Sequence, residues 1–190
     1  MVRTQLRTKL HWPRSPYPVV SRTSLLQRID SGIEGDLTLI VAPAGYGKTT
    51  LVAEWAARKR HRVAWLALDE YDDNLGAFLA YVIAAIRTLY PDACPDLHGL
   101  LSGASLPTPQ SLALILSREV DDLPERFVLV VDDFQLATDR GIHQLVDNFL
   151  RHPPLQMHLL LTSRAELPWQ LSRLRANRRV NELRTHDLRF

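Results

Sequence analysis

The sequence predicts an α/β fold with a parallel sheet covered by helices on both faces. Three observations predict it. Short apolar, β-rich runs recur along the 190 residues. Stretches with apolar residues at helical spacing lie between those runs. The runs are apolar throughout rather than alternating, which marks strands buried on both faces. The connections are then expected to be right-handed crossovers.

In chain order, residues 1–20 are basic and carry Pro13, Pro16 and Pro18. They lack the apolar segment of a signal peptide and are read as an extended arm lying on the rest. Arg22 to Ile33 has Leu25, Leu26, Ile29 and Ile33 on one helical face and ends before Gly35. Leu37 to Ala42 is the first strand. Lys48 to Lys59 is a helix with Leu51, Val52, Trp55 and Ala56 inward, and Arg62 to Leu68 is the second strand. Asn74 to Leu89 is amphipathic, with Phe78, Leu79, Val82, Ile83 and Ile86 at steps of three and four. Pro91 to Pro109 is read as a loop. Ser111 to Asp121 is a helix, Phe127 to Val131 the third strand, Gly141 to Leu150 a helix, and His158 to Thr162 the fourth strand. Leu171 to Arg175 forms a helical turn and Val180 to Leu183 a last strand.

Composition removes several classes of function. The chain is 46% hydrophobic and 23% charged, which argues against wholesale disorder. A lone cysteine, Cys94, excludes a disulfide framework and a cysteine-only metal site. The histidines show no metal-ligand spacing. The net charge of +2 is too small to argue for nucleic acid, and the arginine-rich tail from Arg173 to Arg189 is read as a solvated, partly paired face. No apolar run approaches the roughly 18 residues of a membrane span. A soluble, cytoplasmic protein without membrane contact is expected.

Residues 42–50 read Ala42, Pro43, Ala44, Gly45, Tyr46, Gly47, Lys48, Thr49, Thr50. This is the phosphate-loop pattern with alanine at its first glycine, placed between a strand and a helix as the chemistry requires. Backbone N–H groups around Gly45 and Gly47 form an anion nest, and the helix that follows adds its positive end. Lys48 is placed to reach the β- and γ-phosphates, and the Thr49 hydroxyl to ligate Mg²⁺. Only Lys9, Lys48 and Lys59 are lysines, so Lys48 stands where chemistry wants one in a chain that otherwise uses arginine.

Ligands of open parallel sheets bind at the carboxyl ends of the strands, so the polar residues there are the ones to weigh. Asp132 and Asp133 follow the third strand. Asp132 is assigned to the Mg²⁺ shell and Asp133 to the attacking water; a helix cap or loop acid is the competing reading. Arg164, behind the fourth strand, could read a γ-phosphate or lie free on a solvated loop. Asp69, Glu70, Asp72 and Asp73 are read as the start of the helix at Asn74 rather than as site residues.

The segments APAGYGKTTL, VAWLALDEYDDN, FVLVVDDFQLA, LLLTSR and LSRLRANRRVNELRTHDLRF occur in that order. Together they resemble the N-terminal ATPase domain of the large ATP-dependent LuxR-type (MalT-like) transcription regulators. Those regulators belong to the signal-transduction ATPases with numerous domains, the STAND class. The resemblance runs from about Lys9 to Phe190. It implies a three-layer α/β/α P-loop NTPase with a mainly parallel five-stranded sheet. It also implies an ADP-held resting state, and self-association once ATP and an inducer are bound. Lys48, Thr49, Asp132, Asp133 and Arg164 match the family's phosphate, metal, acidic-pair and γ-phosphate positions. Val19, Val20 and Arg22 match a segment near the adenine, whereas Ser21 and Thr23 depart from it.

Residues 21–185 are expected to be the NTPase domain, and 186–190 the start of a following domain, a winged helix in such regulators. Specific DNA binding would reside in a C-terminal helix-turn-helix absent from this chain. The expected function is an ATP/ADP switch with slow Mg²⁺-dependent hydrolysis. Two alternatives are a small P-loop kinase or phosphotransferase, with the arginines of 173–179 as its lid, and a non-hydrolysing nucleotide-binding interaction domain.

Overall fold

The computed structural model describes residues 7–13, 21–58, 60–103, 105–169 and 171–189. Five parallel strands form one sheet: β1 (Leu37–Val41), β2 (Val63–Ala67), β3 (Phe127–Asp132), β4 (Met157–Ser163) and β5 (Val180–Arg184), in the order β2-β3-β4-β1-β5. Helices α1 (Thr23–Gly32) and α2 (Lys48–Ala57) cover one face. Helices α3 (Leu75–Arg87), α4 (Pro95–Leu100), α5 (Pro109–Asp121), α6 (Arg140–Arg151) and α7 (Ser172–Ala176) cover the other. The expected three-layer sandwich is present.

Continuous apolar strands still sort by parity. Leu37, Leu39 and Val41 of β1 face α3–α7, while Ile40 faces α1 and α2. In β3, Leu129 and Val131 take the first face and Val128 and Val130 the second. Side chains alternate across a strand, so each strand feeds two cores.

Connectivity follows from handedness. The step from β1 to β2 runs one way across the sheet and uses α2; the later steps run the other way and use α3–α7. Right-handed crossovers require this assignment. β1 and β4 are neighbours whose chains leave toward opposite faces, so a crevice opens between their carboxyl ends.

Three expectations need correction. The loop expected over Pro91–Pro109 contains α4. Only Leu97 of that helix is fully buried, so six residues carry too little periodicity to reveal it. Its start is made by tertiary contact: the buried Glu119 carboxylate accepts the N–H groups of Asp96 at 2.8 Å and Leu97 at 3.2 Å. The arm is not extended over Arg7–Leu10, which form a 3-10 turn; residues 1–6 and 14–20 lie outside the described residues, as does Lys59. Lys9 is buried there and pairs with Asp69 at 2.6 Å and Asp72 at 2.7 Å.

The acids before α3 do not start it, contrary to expectation. Asn74 caps α3 alone, accepting the Ala77 N–H at 2.9 Å. Asp69 and Asp72 form a reciprocal cap around the 3-10 turn Glu70–Asp72. Asp73 accepts from the backbone of Thr138 and Asp139 at 2.6 and 2.7 Å, tying the loop after β2 to the loop after β3.

At the amino ends of the strands, buried polar groups are saturated. His158 is fully buried, with Nδ1 3.1 Å from the Gly35 carbonyl and Nε2 2.9 Å from Thr38 Oγ1. A carbonyl only accepts, so Nδ1 carries the proton and Nε2 accepts from the hydroxyl. Asp36 pairs with Arg179 through both guanidinium nitrogens that face it. Burial pushes the His158 pKa down to about 4 from an ordinary 6.5. The neutral ring therefore contributes stability above pH 6.5 that is lost as the pH falls toward 4, in all about 3 kcal/mol. Urea midpoints are expected to drop between pH 7 and 4.5, and His158→Gln to flatten that drop; an unchanged slope in the variant would refute the assignment.

Candidate functional site

The carboxyl ends of β1, β3 and β4 bring together the residues selected from the sequence. The turn after β1 has two residues at positive φ, Gly45 at 85° and Gly47 at 71°. A Cβ on Gly45 would meet nothing within 4 Å. Glycine is therefore demanded there by the backbone angle, and the space above the turn is open. Pro43, Ala44, Gly45 and Thr50 are exposed around its rim, and Tyr46, Gly47 and Thr49 are half-buried. Ala42 shows why alanine replaces the first glycine. It is absent from the positive-φ residues, its N–H donates to the Ser163 carbonyl at 3.2 Å, and its methyl group is buried against α1 and α2.

Lys48 opens α2 and is buried. Its Nζ donates to the carbonyls of Ala42 at 2.7 Å and Pro43 at 3.0 Å, so the ammonium sits across the mouth of the turn. Burial holds its pKa below the ordinary lysine value, against the opposing pull of the Asp133 carboxylate.

Parity places the acid of β3. Asp132 is one step beyond Val131, so it points to the α2 side, as does Thr162 on β4. Asp132 Oδ1 accepts from Thr162 Oγ1 at 2.5 Å and from Thr49 Oγ1 at 3.1 Å. Burial raises its pKa, and the two hydroxyl donors work against that rise. Thr162 Oγ1 also accepts the Asp133 N–H at 3.0 Å. One hydroxyl thus holds both acids.

Asp133 has φ 57°, a left-handed conformation that costs a non-glycine residue about 1–2 kcal/mol. Its Oδ1 accepts from Gln135 Nε2 at 2.8 Å and lies 3.4 Å from Arg164 Nε. Arg164 is half exposed. Arg22 stands on the other side of the turn: its Nη1 donates to the Tyr46 carbonyl at 3.2 Å and the Leu188 carbonyl at 3.1 Å. Leu188 is itself buried against α1 and α2, beyond the domain edge expected at residue 185. Val19 and Val20 lie outside the described residues.

Reading the sequence overlooked Thr162 and Gln135. Thr162 carries a signal, being a polar residue ending an apolar strand in step with Asp132. Gln135 carries none, because only the fold sets it against Arg164. Two of the four arginines offered as a kinase lid are engaged elsewhere: Arg175 pairs with Glu182 at 2.7 Å and Arg179 with Asp36, and residue 180 stands opposite Leu37 at the amino end of β1. Among the described residues no group of three or more His, Cys, Asp or Glu side chains could hold a metal ion. No helix among them is long and apolar enough to cross a membrane.

A strand, a glycine turn closed by a buried lysine, a helix, and an acid on a non-adjacent strand define a P-loop ATPase fold. The chain belongs to the AAA ATPase domain family, whose pattern matches residues 22–162. It is 36% identical over 183 residues to the HTH-type transcriptional regulator MalT of Serratia proteamaculans (strain 568), covering 96% of this chain and 20% of that protein. MalT of Yersinia pestis (strain Pestoides F) is 34% identical with the same coverage. The chain thus spans about a fifth of the length of the curated relatives it matches. Among solved structures, Cdc6p of Pyrobaculum aerophilum aligns with a TM-score of 0.58 at 12% identity, over 90% of this chain and 46% of that one. A STAND protein with a tetratricopeptide repeat sensor from Pyrococcus horikoshii aligns at 0.53 and 18% identity, over 90% of this chain and 24% of that one. At such identities the likeness concerns the fold.

Thr162→Val keeps the β-branched shape but removes the donor to Asp132 and orphans the Asp133 N–H. It is expected to cost about 1–3 kcal/mol in urea unfolding, with Thr162→Ser restoring most of it. Equal midpoints for wild type and the valine variant would remove this hydroxyl from the account.

Proposed function

We propose that this chain is the ATP/ADP-binding switch module of a MalT-like LuxR-type transcription regulator, with slow ATP hydrolysis that resets its state. The observation that carries the reading is Lys48. Its ammonium is buried, its hydrogen bonds go to two carbonyls rather than to a carboxylate, and it faces a glycine turn with open space above Gly45. A polyanion bound to the turn supplies the negative charge that such a site lacks.

Each side chain has a task in this reading. N–H groups of the turn surround the β-phosphate, and Lys48 Nζ exchanges carbonyls for phosphate oxygens. A hydroxyl and a carboxylate already within 3.1 Å of each other suit a hard cation that keeps most of its water. Thr49 and Asp132 would hold Mg²⁺, which would supply positive charge to the β- and γ-phosphates. Thr162 holds Asp132 toward that position. Asp133 accepts a hydrogen bond from the attacking water, and Arg164 contacts the γ-phosphate. Arg22 supports the turn from the side of Tyr46. A nucleotide biases such a switch only by binding its two states unequally. In the whole regulator, working in the cytoplasm, that bias would control self-association, and DNA would be read by the helix-turn-helix outside this chain.

Lys48→Ala is expected to weaken ADP binding at least about tenfold in isothermal titration, with the circular dichroism spectrum unchanged, because a charge-assisted contact to phosphate is lost. Equal affinities would defeat the assignment. Asp133→Asn is expected to slow single-turnover ATP hydrolysis about a hundredfold while nucleotide still binds; an unchanged rate would favour a non-hydrolysing binding domain.

A further inference from the structure

Asp133 and Arg164, given separate tasks above, are joined through a third side chain. Gln135 Nε2 donates to Asp133 Oδ1 at 2.8 Å, and Gln135 Oε1 accepts the backbone N–H of Arg164 at 3.0 Å. Arg164 Nε lies 3.4 Å from that same Asp133 oxygen. These contacts close a ring between the end of β3 and the end of β4. Apolar packing backs it: Phe134, fully buried between Asp133 and Gln135, meets the Trp169 ring edge-on at 5.2 Å. Trp169 lies in the loop that Arg164 begins. An amide suits the central place because it donates at one atom and accepts at the other; glutamate only accepts, and leucine does neither.

We infer that Gln135 is a positioning residue that makes Asp133 and Arg164 one interlocked pair, so that hydrolytic competence depends on the third phosphate. The inference rests on the switch reading of those two residues. Without a γ-phosphate the guanidinium rests on the carboxylate and occupies the oxygen needed to orient water. A γ-phosphate, with more charge and more acceptor oxygens than a carboxylate, draws the guanidinium away. Gln135 keeps the Arg164 backbone in place while the side chain swings, and keeps Asp133 directed at the site. ADP offers no such competitor, so the pair stays closed.

The test is a double-mutant cycle on the whole chain with ADP and a non-hydrolysable ATP analogue, with amide hydrogen exchange on the nucleotide-free protein. Gln135→Leu is expected to leave ADP affinity within about twofold and to reduce the preference for the ATP analogue about threefold to tenfold; that reduction should vanish when Arg164→Ala is already present. Exchange at the Arg164 amide should accelerate. Gln135→Glu keeps the acceptor for that amide and loses the donor to Asp133, so amide protection should persist while the preference falls. A residue that merely supports the fold would lower stability and leave the preference intact. An unchanged preference in Gln135→Leu, or effects of Gln135→Leu and Arg164→Ala that add, would overturn the inference while Lys48→Ala still weakened ADP binding tenfold or more. Wild-type protein that bound neither nucleotide would overturn the switch reading, and this inference with it.

Discussion

The crevice between β1 and β4 exists because the chain leaves these neighbouring strands toward opposite faces of the sheet. Among the described residues no other pair of adjacent strands does so. Strands buried on both faces can keep polar groups only at their ends, since a ladder interior offers no water to an unpaired group. Polar side chains of the strands are thereby confined to their ends, and the crevice adjoins one part of the carboxyl-end line. The glycine turn, the lysine that spans it and the acids of β3 all take their places from this constraint.

The two ends of the sheet treat buried polar groups differently. At the amino end His158, Thr38, Asp36 and Arg179 satisfy one another, and their hydrogen bonds leave little for a ligand. At the carboxyl end the hydrogen bonds of Lys48 go to the carbonyls of Ala42 and Pro43, and Asp132 accepts from the hydroxyls of Thr162 and Thr49. Neutral partners hold a buried charge less strongly than an opposite charge does, so a charged ligand can displace them. That contrast distinguishes the two ends of the sheet without any appeal to relatives.

Of the three left-handed non-glycine residues among those described, Cys94, Asp133 and Arg178, one lies where the chemistry is proposed. Asp133 takes a left-handed backbone with a bulky acidic side chain, and Thr162, Gln135 and Arg164 hold it there. A residue this over-determined has few alternative orientations, which limits the reorganisation a reaction would otherwise require. Arg22 extends the same economy outward, since one guanidinium joins the turn at Tyr46 to the chain at Leu188.

The sequence by itself determined the strands, most helices and the loop chemistry of the site. These rest on local causes: apolar runs, helical spacing, and glycines at angles other residues avoid. It also placed Asp132, Asp133 and Arg164 at strand ends and Lys48 and Thr49 at the helix start behind the glycine turn, because position along an element is local. Only the tertiary structure decided which ends adjoin. That β4 lies between β1 and β3 brings Thr162 to Asp132 and Gln135 to Arg164, pairs 30 and 29 residues apart in the chain. Helix α4 and the turn at Lys9 were equally hidden, because Glu119 and Asp72, which hold them, act across long separations. Such contacts form only once the chain has closed its loops, and no local pattern announces them.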